Sequence, residues 1–298
     1  MNRILVVLAF IFINQLLFSQ EDPEVDKEID EIIDNLITLD DAYLIDLINE
    51  VNNYKIIIAS LDFNDKTYFL GRDLGINQFS ISPQLMYKNS NGIYAGVAGA
   101  YYDKFDPKWD LTILTAGYGK FFGKHKNLKG ELGYSRYIFS DTDSNDFENS
   151  IDGSFSIRNK NDYYGSIIDA SYLFGKRTGF QTNIAVYGTI KLFDLGTTSD
   201  AEFVLVPNVS FLLASENIDT SRIDRLGIDL PYINRVVNSF EKFSLRNVQL
   251  NLPIQLDYDN FLLELGYNFN FPSSFEFERE VKNTSFFNLG FTYFFDLN

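Results

Sequence analysis

The chain has 298 residues, of which 25 are Lys or Arg and 41 are Asp or Glu, for a net charge of -16, and 16% are aromatic. It holds no cysteine, which excludes disulfides, a lipidated N-terminus and any Cys-ligated metal. The acidic balance also excludes the basic footprint that nucleic-acid binding requires.

Residues 1–20, MNRILVVLAFIFINQLLFSQ, place Arg3 ahead of an apolar run from Ile4 to Phe18 and read as a secretory signal cleaved near Ser19 or Gln20. The run is broken by Asn14 and Gln15 and is short for a membrane span. Residues 21–53 follow as an acidic segment. Within it, residues 21–50 carry 12 acids against one Lys. Ile29, Ile32, Ile33 and Leu36 recur at helical spacing, and a second helix capped by Asp40 or Asp41 carries Leu44, Leu47, Ile48 and Val51. This segment is expected on the periplasmic side as a plug, a docking element or a leader that packs on itself. Burying its charge in an interior whose visible bases are few, Arg158 and Lys191 among them, costs too much.

From Tyr54 onward the period changes from helical to two. Extended segments are expected at 54–71, 76–88, 92–104, 109–122, 128–140, 150–158, 163–174, 180–193, 201–214, 243–258, 261–271 and 284–297, twelve in all. Residues 54–298 thus form one all-β unit. In residues 247–271, Val248, Leu250, Leu252, Ile254 and Leu256 share one face while Asn247, Gln249, Asn251 and Gln255 share the other. A two-residue turn at Asp259 and Asn260 sets Leu256 against Leu263, Ile254 against Leu265, Gln255 against Glu264 and Asn251 against Asn268. The segment from Leu128 to Ser140, with both Glu131 and Arg136, has no clear phase. Pro83, Pro207 and Pro253 fall inside expected strands and read as bulges.

After the signal no apolar run is long enough for a helical span, so a membrane form of this chain must be a closed barrel. Strands near the 9 to 11 residues of a tilted transmembrane strand, tight turns alternating with mostly longer loops, and Tyr and Phe near strand ends all fit one. The final strand, FFNLGFTYFFDLN, aligns Phe287, Leu289, Phe291, Tyr293, Phe295 and Leu297 on one face. In these features the chain resembles Gram-negative outer-membrane β-barrel proteins. The resemblance implies a 12-stranded antiparallel transmembrane barrel in the outer membrane, surrounded by lipid, whose last strand is presented to the barrel assembly machinery. Ending on Asn298 departs from the strictest form of that signal. The competing fold is a secreted β-sandwich, whose strands also alternate. The stretch GRDLGINQFSISPQ looks like a family signature of unassigned function.

Chemistry is sparse. His125, the single histidine, sits in a turn between Lys124 and Lys126, misplaced for the Ser, His and Asn set of outer-membrane phospholipase. Neither a zinc set nor a phosphate loop is present, no cofactor is expected, and the chain does not read as an enzyme. Asp152, Asp169, Glu202, Asp257 and Glu264 are candidate interior acids. The expected lining of the lumen is Gln78, Ser80, Gln84, Gln181, Asn183, Gln249, Asn251, Gln255, Glu264 and Asn268, which suits a diffusion channel or transporter for small polar solutes. The alternative is a structural or interaction barrel with a packed lumen that binds a partner through its loops or acidic segment. A short helix at PYINRVVNSF, residues 231–240, is expected in the longest loop.

Overall fold

The computed structural model describes residues 54–68, 70–73, 77–105, 107–123, 126–140, 147–159, 163–194, 201–215, 243–274 and 281–297. The signal, the acidic segment, His125 and the helix expected at 231–240 lie outside the described residues.

The strand segments are β1 (Lys55–Asn64), β2 (Ser80–Asn89), β3 (Ile93–Tyr102), β4 (Trp109–Phe122), β5 (Leu128–Phe139), β6 (Phe147–Arg158), β7 (Tyr164–Gly175), β8 (Thr178–Gly188), β9 (Ile190–Asp194), β10 (Glu202–Leu205), β11 (Asn208–Ser215), β12 (Ser244–Asn251), β13 (Ile254–Tyr258), β14 (Phe261–Pro272) and β15 (Thr284–Asp296). β8 with β9, β10 with β11, and β12 with β13 are each one wall strand with a short interruption. The wall therefore has twelve antiparallel strands. β1 pairs with β15 from Ile56↔Asp296 to Asn64↔Asn288, which closes the sheet on itself and leaves no edge. Two ends follow. The near mouth carries the start of β1, the end of β15 and, among its connections, the short ones at Asn89 to Gly92 and at Asp259, whose φ of 55° is left-handed. The far mouth carries the connection between β1 and β2, the one after β11 and the one after β14.

The hairpin register matches the expected one: Ile254↔Leu265, Gln255↔Glu264, Leu256↔Leu263 and Asn251↔Asn268. Its two-residue turn pairs Tyr258 with Phe261. The first two strands are shorter than expected, their shared ladder running from Lys55↔Asn89 only to Asn64↔Ser80.

The three prolines are not bulges. Register runs unbroken through each: Asn208↔Tyr187 continues to Leu205↔Ile190, and Asn251↔Asn268 to Ile254↔Leu265. What is lost is one donor. Gly188 N–H still donates to Pro207 O at 2.9 Å and Val206 N–H to Pro253 O at 3.0 Å, while the reciprocal bond is absent because proline has no N–H. Pro83 likewise lies where the β2–β3 ladder is interrupted between Ile81↔Tyr101 and Gln84↔Ala98 without a shift. True irregularities fall elsewhere. One lies between Leu212 and Leu213, opposite a step from Asn247 to Leu245. It turns Arg246 and Asn247 both inward.

The outer surface is apolar. Mid-wall aliphatics such as Leu61, Leu114, Leu132, Ile168, Leu265 and Leu289 are exposed. Rings pair above and below them: Phe63 with Phe79, Phe180 with Phe243 and Tyr267 with Phe287 towards the far mouth, and Phe193 with Phe203, Tyr258 with Phe261 and Tyr293 with Phe295 towards the near mouth. An aliphatic band between two aromatic girdles is the outside that a bilayer-spanning barrel needs. A sandwich would bury this face against a second sheet, and here the sheet closes on itself.

Candidate functional site: the barrel interior

Inward positions follow from strand parity. Ser80, Gln84, Gln181, Asn183, Gln249, Asn251, Gln255, Glu264 and Asn268 all project from the inner face, and Gln78 is buried in the connection leading into β2. These residues fall into two groups. Gln249, Asn251, Gln255, Glu264 and Asn268 share one arc, on β12 to β14, while Gln181 and Asn183 lie beyond β11 and Ser80 and Gln84 beyond β1.

The amide arc holds two hydrogen-bonded clusters. Glu264 is the centre of the first: Gln255 Nε2 donates to Oε2 and Asn288 Nδ2 to Oε1, both at 2.8 Å. Asn268 Nδ2 in turn donates to Asn288 Oδ1 at 2.8 Å. Further towards the far mouth, Asn247 and Gln249 donate to Asn270 Oδ1, Asn270 donates to Thr284, and the Thr284 hydroxyl donates to the Gly71 carbonyl at 2.7 Å. Both carboxyl oxygens of Glu264 accept, so it orients the amides on both sides of it.

The facing arc uses hydroxyls. Ser135 and Ser150 each donate to Asp152 Oδ2 at 2.8 Å. Their oxygens are then left to accept from Thr115 at 3.0 Å and Tyr137 at 2.9 Å. Asp169 sits diagonally from Asp152, since Asp152 is level with Ser171 and Asp169 with Ser154. Glu202 and Asp257 are direct cross-strand partners, and Lys191 Nζ lies 2.7 Å from Glu202. Five candidate acids thus become two pairs and a network centre. Among the described residues no three metal-ligating side chains converge.

Inward glycines let neighbouring side chains lie along the wall. A Cβ at Gly117 or Gly133 would overlap Tyr94, one at Gly165 would overlap Tyr187, and one at Gly266 would overlap Asn288. Rings and amides therefore lie over the glycines of adjacent strands.

The two mouths differ. At the far mouth Leu70 is 1% exposed, Arg72 4% and Gln78 1%, although all three belong to the connection between β1 and β2. Leu70, Gly71 and Arg72 of this connection fold into the mouth. Leu70 has a φ of 47° and Gly71 of 77°, Arg72 donates to the Ser273 carbonyl, and Tyr68 OH donates to the Ser285 carbonyl at 3.2 Å. Behind it Tyr102, Phe105, Leu111, Tyr137, Phe139 and Leu173 pack as an apolar core on the inner wall. The near half is more open, with Lys191 53% and Glu202 33% exposed.

Sequence reasoning missed Asn288, which the two-residue period of its strand places on the polar face. It also missed bases. Lys88 and Lys129 face inward, and Arg246 is brought inward by the irregularity opposite Leu212 and Leu213. Glu131 is inward, 2.9 Å from Lys129, whereas Arg136 pairs with Glu148 at 2.8 Å on the outer side, which gives the segment from Leu128 to Ser140 its phase.

No family model and no curated protein matches the chain. Among solved structures it is similar to the KdgM porin, with 10% identity over 80% of this chain and 98% of that one and a TM-score of 0.44. It is also similar to an outer membrane channel from Pseudomonas putida F1, with 10% identity over 82% and 95% and a TM-score of 0.39. A third is the translocator domain of the autotransporter NalP from Neisseria meningitidis, with 9% identity over 84% and 92% and a TM-score of 0.38. At these identities the likeness is one of barrel architecture.

Proposed function

We propose that the chain is an outer-membrane channel for small polar solutes, with its near mouth in the periplasm. The observation that carries this reading is the pairing of an amide and carboxylate arc on the inner face with an aliphatic outer band on the same closed strands. Amides on β12 to β15 replace the hydrogen bonds that an uncharged polar solute leaves behind in water, and Glu264, Asp152 and Asp169 favour cations over anions. Twelve strands give a width between side-chain-filled small barrels and open sixteen-stranded ones. The lining is the set Gln78, Ser80, Gln84, Gln181, Asn183, Gln249, Asn251, Gln255, Glu264 and Asn268. The outward aromatic row of β15 suits presentation to the assembly machinery.

The test is swelling of proteoliposomes in uncharged sugars of graded size. A rate that falls with sugar size supports the channel, and swelling no faster than that of empty vesicles rejects it. A second reading, a structural barrel that binds partners through its loops, is favoured by one observation: far-mouth interior residues such as Ser80, Leu111, Asn270 and Ala214 are almost completely buried.

A further inference from the structure

The near mouth has a charge asymmetry that the channel reading does not use. A cavity of about 310 Å³ opens between β2, β3, β4 and β5 at this rim. Its walls carry Lys88, Lys120, Lys126 and Lys129 against a single acid, Glu131. Lys88 Nζ stands 5.9 Å from the Tyr94 ring centre and Lys129 Nζ 5.8 Å from that of Phe121, so aromatic faces form part of the floor. The opposite side of the same rim carries Glu202, Asp257 and Asp259 against one base, Lys191, which lies 2.7 Å from Glu202. Four lysines are thus gathered on one side of a chain that is strongly acidic overall.

Tyr54, the first described residue of the chain, is itself a wall of this cavity. The residues immediately before it, 21–50, carry 12 acids and one Lys. We propose that the acidic segment 21–53 docks on the lysine-lined cavity at the near mouth. Charge selects the side of the rim: the segment is attracted to the cavity and repelled by Asp257 and Asp259 across the opening, where Lys191 is engaged by Glu202. Length permits it, because even at the helical rise of about 1.5 Å per residue the segment spans tens of ångströms. Tethering favours it over any free anion, since a short linker holds the segment at an effective concentration on the order of millimolar. The proposal rests on the barrel geometry and the charge map, and it holds whether or not the barrel conducts.

The test is zero-length carbodiimide crosslinking of the full chain, purified in non-ionic detergent, followed by peptide mapping. The expected result is amide links from Lys88, Lys120 or Lys126 to carboxylates within residues 21–50. They are intramolecular, so a mixture of isotopically heavy and light chains gives no mixed crosslinks. They fall at least fivefold in 1 M salt, where the screening length is about 3 Å, and in the variant K88Q/K126Q. A second full-length variant, D40N/D41N/D46N/E50Q, leaves the barrel untouched and should raise acylation of Lys126 by an amine reagent. Crosslinks confined to barrel acids overturn the proposal. So do mixed heavy and light crosslinks, which would make a second copy the occupant, and so does equal acylation of Lys126 in the wild type and the acid-neutralised variant.

Discussion

Leu132 and Ser154 offer a direct comparison of the two faces of the wall at one depth. Leu132 is level with Gly153 in the β5–β6 ladder, one step from Ser154, which is level with Glu131 on one side and Asp169 on the other. Leu132 points outward and is 63% exposed, the most of any leucine on the wall. An arginine there, near the middle of β5, sets a guanidinium against hydrocarbon and should cost about 2 to 4 kcal/mol. That is roughly a 30-fold to several-hundred-fold drop in the folding equilibrium constant. Ser154→Arg places the same group between two carboxylates on the inner face, where its cost should be within about 1 kcal/mol of zero. The assay is reversible denaturant titration in phospholipid vesicles, read by the fluorescence of Trp109, the sole tryptophan, whose indole donates to Thr112 at 2.9 Å near the far mouth. Equal costs at the two positions would refute the assigned phase and with it the lipid-facing band.

Three further perturbations probe the interior. Glu264→Leu leaves Gln255 and Asn288 without their shared acceptor and should destabilise the barrel by about 1 to 3 kcal/mol for each stranded donor, with Glu264→Gln costing less in the same titration. Gly165→Val forces a Cβ into the Tyr187 ring and should cost about 1 to 3 kcal/mol; Tyr187→Ala should relieve most of it, so that a double-mutant cycle gives a coupling above about 0.5 kcal/mol. Gly71→Val combines a φ of 77° with a Cβ that would meet Asn247, which should dislodge the far-mouth connection and raise the sugar permeation rate of proteoliposomes while heat-modifiable gel mobility stays that of the wild type.

The wall was legible where period two is uninterrupted. From Asn247 to Phe271 the alternation determines face and register together, because a slip by one residue would bury Leu252 and Leu265 and expose Asn251 and Asn268. The inner face of β12 to β14 could be named for the same reason. Three kinds of feature escaped. Arg246 could not be phased, since an irregularity moves one residue out of the two-residue period and leaves no local mark in the sequence. The prolines suggested an extra residue where the fold loses only a donor. The inward fold of Leu70, Gly71 and Arg72 depends on distant partners, Ser273, Thr284 and Asn247, and on left-handed backbone at Leu70 and Gly71. No periodicity reports contacts of that range.

The central claim is that the polar interior conducts. The measurement that tests it most directly is single-channel current across a planar bilayer, recorded for the full chain and for Gly71→Val, each with its fold confirmed by heat-modifiable mobility. The account predicts discrete steps with a reversal potential that favours cations, and longer-lived openings in Gly71→Val because its far mouth is released. Folded protein that passes no current in either form would contradict it and leave the packed, partner-binding barrel as the function of this fold.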